Sequence, residues 1–185
     1  FDQYAKSCYD FFWGDLCDWY LEAIKPAMKD PSRAPATAAV LSAVLDGSLR
    51  LMHPMMPFIT ETIWWKLNEI APNRGIVGKL DCPPSKRLIK AAWPTSGASD
   101  DSVESQFSRI QEIISALRNL RNEHKADPKR IISVAASAPS DIASEIESSR
   151  EIIELLAGCK IASIGQNAAP SDRAARAIAG GAELF

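Results

Sequence analysis

The spacing of apolar side chains over the first 125 residues leaves room for helices and little else. In "YDFFWGDLCDWYLEAIKP" (residues 9–26), Tyr9, Phe12, Trp13, Leu16, Cys17, Trp19, Tyr20, Ala23 and Ile24 share one face. Wound at about 100° per residue they span an arc of about 160°, a stripe wide enough to be buried. Asp15, Asp18, Glu22 and Lys25 lie opposite, so the clustered carboxylates read as a solvated face, with Asp18 and Glu22 placed to pair with Lys25 and Lys29. Phe11 and Leu21 break the pattern. A further helix of a bundle is expected to cover them; a partner protein is the alternative.

After the turn-rich "KDPSRAP" the periodicity resumes over 36–53, where Leu41, Val44, Leu45, Ser48 and Met52 recur at helical spacing. Asp46-Gly47 resembles a turn, but one glycine inside a long periodic segment costs only about 1 kcal/mol. "HPMMPF" ends this helix, Pro57 opens the next, and Ile59, Ile63, Leu67 and Ile70 are its expected buried stripe. His53, at the junction, is expected to cap carbonyls. Residues 71–99 are rich in Pro, Gly and Ser and hold Lys79, Lys86, Arg87 and Lys90, an irregular basic connector. A long helix then runs from a Ser99/Asp100 cap to about Lys125, and Val103, Phe107, Ile110, Ile114 and Leu117 are expected to pack it on the bundle. Beyond it "RIISVAAS" reads as a strand, "PSDIASEIESSREIIELLAG" as an amphipathic helix stopped by Gly158, and "CKIASIG" as a second strand. "RAARAIAGGAELF" reads as a hairpin about Gly180-Gly181. The expected fold is mainly α: a helical bundle with its connector (1–98), then the long helix and a small α+β subdomain (99–185). The start without methionine, and an end inside a strand pattern at Phe185, read as the edges of an excised piece.

Function classes can be excluded by what chemistry requires. Neither a G-x-S-x-G nor a G-x-x-x-x-G-K segment is present, and the two histidines lie in unrelated segments, so no catalytic residue is assigned. The four cysteines are scattered without a C-x-x-C pair, which argues for free thiols in a reducing compartment and against a metal site. No apolar run approaches the roughly 20 residues that cross a bilayer. Net charge is −2, yet its distribution is uneven: 1–100 is neutral, 101–130 carries 6 basic and 5 acidic side chains, and 131–185 carries 4 and 7. A polyanion partner should therefore meet the first two parts. Arg118, Arg121 and Lys125 share one helix face, and Lys129 and Arg130 follow Pro128. A solvated face and a phosphate-binding ridge remain equally open readings of these five.

"FFWGDLCDWYLEAIKP" followed by "LRLMHPMMPFITETIWWKL" resembles the anticodon-binding helical bundle of class I aminoacyl-tRNA synthetases, most nearly the valyl-tRNA synthetases. That family carries F-W-x-x-F-C-D-W-Y-L-E-x-x-K before L-H-P-x-M-P-F-I-T-E-E-x-W. A later I-x-x-I-R-x-I-R-x-E-x-x-x-x-P-x-K is matched by Ile114, Arg118, Leu120, Arg121, Glu123, Pro128 and Lys129. Three motifs in order cover about residues 1–131. "CDWYLE" is the discriminator, since the isoleucyl enzymes carry a serine-containing variant there; the isoleucyl and leucyl branches share "HPMMPF" and stand as alternatives. Thr62 and Leu120 depart from the pattern, conservatively for a bundle.

The resemblance implies a region that holds the anticodon stem-loop of a valine-accepting tRNA. A further bundle helix, the catalytic and editing domains and a C-terminal coiled coil would then lie outside this chain. It implies a cytoplasmic ligase that uses ATP and Mg, with no cofactor in this piece, no DNA and no membrane as partners. Backbone contacts are expected from Arg118, Arg121, Lys125, Lys129 and Arg130, then Lys86, Arg87 and Lys90. Substituting Arg118 and Arg121 by alanine is expected to lower the salt dependence of binding. Trp13, Trp19 and Trp64 are expected in the core; Trp65 leaves the apolar stripe and is the best aromatic RNA contact. A helical protein–protein module is the competing reading, marked by an apolar patch around Phe11 and Leu21.

Overall fold

The computed structural model describes residues 1–95, 97, 99–127, 129–166 and 174–185; Pro128 of the third motif and Arg173 of the hairpin segment lie outside them. The chain divides into two compact units, Phe1–Ser99 and Asp100–Phe185, and it is mainly α, a bundle followed by a small α+β part.

The first unit opens with α1 (Asp2–Tyr9), which widens into a π-helix over Asp10–Tyr20 and returns to α2 (Leu21–Ala23) and α3 (Lys25–Lys29). In a π-helix each residue turns the chain by roughly 80–85° rather than 100°. A wheel drawn for an α-helix therefore drifts off the true face. Leu16 is the residue buried within it, whereas Tyr9 and Trp13, expected in the stripe, are exposed. Glu22 and Lys25 do form the expected ion pair.

Helix α4 (Ala34–Met52) runs straight through Asp46-Gly47. Helix α5 (Pro57–Ile70) starts on Pro57, as expected, but buries Thr60, Trp64 and Leu67. Ile59 and Ile70 of the expected stripe are exposed, and so is Trp65. The stripe is offset because the indole of Trp64 is the largest apolar surface on the helix, and its burial sets the rotation. Leu49, Trp64, Leu67 and Leu88 form the packed centre.

The connector is no loose linker. Leu88 of its 3-10 turn (Leu88–Lys90) enters that centre. Trp64 Nε1 and Asn68 Nδ2 both donate to Ser85 O, at 2.9 and 3.1 Å. Beneath it lies a buried ionic network. Asp46 accepts from Arg50 Nε at 2.6 Å and from Arg74 Nε at 2.9 Å, and all three side chains are at most 3% exposed. Arg50 also donates to Pro83 O and Ala92 O, Arg74 to Asn68 Oδ1 and Ala71 O. Both guanidinium groups lie over the Trp64 ring, 4.9 and 4.5 Å from its centroid, and burial beside Asp46 pushes the Cys82 thiol up to about 11.

The second unit begins with α6 (Asp101–Glu123), capped by Asp100, whose carboxylate accepts from Ser102 N and Val103 N. Its buried residues, Ile110, Ile113, Ile114 and Leu117, pack within this unit, on the last helix and the hairpin. Strand β1 (Ile132–Ser137) leads to α7 (Ser140–Ser148) and α8 (Arg150–Ala157), where one continuous helix is expected. Ser149, at φ −103°, breaks it. Gly158, in the left-handed region at φ 64°, ends α8. Strand β2 (Cys159–Ile164) pairs parallel to β1, and the hairpin of β3 (Ala177–Ala179) and β4 (Ala182–Leu184) adds antiparallel, giving the order β2-β1-β4-β3.

The hairpin turns on Gly180 (φ 57°) and Gly181 (φ 73°), a pair that only glycines adopt cheaply. A Cβ on Gly180 would stand 2.7 Å from the backbone oxygen of Arg109. Gly180→Ala therefore meets both the left-handed penalty and a backbone clash. We expect a loss of roughly 2 kcal/mol or more, read as an earlier far-ultraviolet circular-dichroism transition.

Candidate nucleic-acid interface

Two of the expected contact groups are brought together in the first unit. Helix α5 presents Phe58, Thr62 and Trp65 on one face, at i, i+4 and i+7, and the connector faces them with Arg87 and Ile89. Between them runs a groove lined also by His53, Pro57 and Glu61. The surface is unusually aromatic for a solvated one: Phe58 is 89% and Trp65 61% exposed.

Glu61 builds the groove's far wall. Its carboxylate accepts from Leu88 N at 3.1 Å and Ile89 N at 3.3 Å, satisfying free amides at the start of the 3-10 turn. Ser85 Oγ donates to Arg87 O at 2.7 Å. The backbone that carries Lys86, Arg87 and Lys90 is thus fixed on α5 while their side chains stand exposed. Among the described residues no carboxylate forms an ion pair with any of the three.

The expected ridge in the second unit is divided. Arg118 Nε donates to Leu156 O at 2.9 Å. Arg121 donates to Gly158 O at 2.5 Å, and to Arg130 O and Asp127 O at 2.9 Å each. These guanidinium groups hold the carbonyl end of α8 and the loop after α6, where cations suit the helix dipole. Lys125, Lys129 and Arg130 stand exposed nearby, with Lys125 itself in the left-handed region at φ 49°. An apolar cleft lined by Leu117, Leu120, His124, Val134 and Phe185 opens beside Arg121.

Sequence reasoning misses Phe58, His53 and Glu61 as parts of the groove. The 58/62/65 spacing holds the signal for Phe58; the Glu61–connector bond joins residues 27 apart and has no local signature. His53 does not cap a carbonyl with its ring: Nδ1 lies 2.8 Å from Thr60 Oγ1. Among the described residues no group of three or more His, Cys, Asp or Glu is placed to hold a metal ion, and no helix is long and apolar enough to cross a membrane.

Known proteins share much of this sequence. Residues 1–136 match the family model described as the anticodon-binding domain of tRNA ligase. The valine–tRNA ligase of Rhodopirellula baltica is 34% identical over 167 residues, 89% of this chain and 16% of that protein. That of Symbiobacterium thermophilum is 37% identical over 193 residues, 98% of this chain and 21% of the relative. That of Thermotoga maritima reaches 40% over 121 residues, 64% and 12%. The chain spans about a fifth or less of the length of these relatives. With the whole first unit, α6 and all but the last residue of β1 inside the matched stretch, the chain belongs to the family of tRNA-ligase anticodon-binding domains, in the form that valine–tRNA ligases carry.

Proposed function

We propose that this chain holds the anticodon arm of a valine-accepting tRNA on behalf of a valine–tRNA ligase. Catalysis, with its ATP and Mg, belongs to other parts of that cytoplasmic enzyme. The observation that carries the reading is the α5 groove: exposed aromatics beside Arg87, on a strap that also exposes Lys86 and Lys90 and is tied to the bundle. Unpaired RNA bases bind by stacking on aromatic rings, and their phosphates by cations. Lys125, Lys129 and Arg130 are the second-unit side chains best placed to add phosphate contacts, since Arg118 and Arg121 already serve backbone carbonyls. The exposed Tyr9, Phe11 and Trp13 suit contact with other domains of the same enzyme, which absorbs the observation favouring a protein-binding module.

The test is titration of the chain with an RNA hairpin of the valine anticodon arm at several salt concentrations. Binding should weaken with salt. Replacing Lys86, Arg87 and Lys90 together by alanine should reduce the log–log slope by about two, near 0.7 for each phosphate no longer neutralised, and leave the tryptophan-fluorescence melt unchanged. A hairpin that does not bind at low salt, or a slope the triple variant leaves intact, overturns the reading.

A further inference from the structure

The groove contains a polar atom that a general RNA surface does not require. Thr60 has one hydroxyl proton, and it is given to Met56 O at 2.8 Å. In the 2.8 Å contact with His53 the hydrogen must therefore come from Nδ1, which leaves Nε2 with a bare lone pair. That Nε2 is buried and has no hydrogen-bond partner among the described residues. Such an acceptor destabilises the fold until a donor arrives, and His53 lines the same groove as Phe58, Trp65 and Arg87.

A ring to stack on, a cation beside it and an unmatched acceptor together describe a flat aromatic ligand that offers an N–H. Adenine and cytosine present an exocyclic amine at the edge where guanine and uracil present a carbonyl, and a carbonyl would oppose the lone pair. We propose that the groove takes one unpaired adenine or cytosine of the anticodon loop, its ring against Trp65 and its amine donating to His53 Nε2. This rests on the tRNA-binding reading above and makes His53 a specificity-determining residue, held in the acceptor tautomer by Thr60. Phe58, 89% exposed, is free to turn aside as the base enters, at almost no cost in buried area. A protein segment would also fill an apolar groove, but it would not call for an exposed cation, Arg87, in the wall beside Trp65.

The experiment measures affinities of the whole chain for valine anticodon hairpins in which each loop adenosine is replaced by purine riboside, and each loop cytidine by 2-pyrimidinone riboside. These analogues lack only the amine. One replacement should weaken binding to the wild-type chain roughly 3- to 10-fold, the weight of one hydrogen bond. His53→Leu should erase that difference, and His53→Gln, which keeps an acceptor, should preserve part of it. Trp65→Ala, at an exposed position where folding is not at stake, should weaken every hairpin about 10-fold or more. If the wild type binds yet Trp65→Ala binds equally well, or the amine penalty survives in His53→Leu, the base pocket is overturned while tRNA binding stands. A groove filled by a protein segment gives that same result. If the wild type binds no hairpin, the underlying reading fails instead.

Discussion

Asp46→Ala should come close to unfolding the first unit, at a cost of about 3–5 kcal/mol. The carboxylate is 1% exposed and is the counter-charge of two guanidinium groups that are themselves out of water. Its removal leaves Arg50 and Arg74 with carbonyl and amide partners but no anion, and it loosens the clamp that both arginines place on the connector. Set against a typical domain stability of about 5–15 kcal/mol, this is a large fraction. Asp46→Asn should be nearly as severe, because shape is kept and charge is not. Replacing all three residues by apolar side chains of similar volume should recover much of the loss. The measurement is clean because all five tryptophans lie in residues 1–99. Tryptophan fluorescence during urea unfolding therefore follows this unit alone, and a midpoint unmoved in Asp46→Ala would show that the network carries little stability.

That network is legible in part. Asp46 and Arg50 stand at i, i+4, a readable ion-pair spacing. The expected stripe of Leu41, Val44, Leu45, Ser48 and Met52 puts them on the opposite face, however, so their burial beside Leu49 is not readable. The third member, Arg74, lies 28 residues from Asp46 in an irregular segment, and no periodicity reports on it. The same division holds elsewhere. Helix starts at Pro57 and Asp100, the stop at Gly158 and the two-glycine turn at 180–181 are all readable, because each depends on one residue's backbone preference. Helix rotation is not. The π-helical stretch moves Tyr9 and Trp13 off the face an α-helical wheel assigns, and burial of Trp64 turns α5 so that Ile59 and Ile70 face outward.

The candidate site shows the same limit at the level of chemistry. Residue type identifies Lys86, Arg87, Lys90 and Trp65 as candidates, and the structure brings Arg87 and Trp65 to one groove. What joins them is the Glu61 carboxylate on two connector amides, a contact between segments far apart in sequence. His53 illustrates the point most sharply. Its sequence position suggests a helix end and a carbonyl cap, whereas its role in the groove follows from where one hydroxyl proton on Thr60 goes.

Arg121→Ala should destabilise the second unit by about 2–4 kcal/mol, the scale of two or more hydrogen bonds made by a charged donor in a half-buried setting. One guanidinium serves Gly158 O, Arg130 O and Asp127 O at once. It thereby joins the end of α6, the loop that follows and the turn between α8 and β2. A Cβ on Gly158 would lie 3.2 Å from Arg121 Nη1, so the group is packed against the turn as well as bonded to it. Arg121→Lys keeps the charge but replaces a planar fork by a single nitrogen, which cannot span three carbonyls; it should recover less than half of the loss. The readout is the far-ultraviolet circular-dichroism transition, since tryptophan fluorescence is blind to residues 100–185 and should melt as in the wild type. This separates two meanings of one binding result. Lower hairpin affinity in Arg121→Ala with the second unit loosened reflects a broken carbonyl clamp. The same weakening with that unit's transition unmoved would show that the guanidinium leaves its carbonyls for a phosphate when RNA arrives, as the basic spacing of Arg118, Arg121 and Lys125 implies.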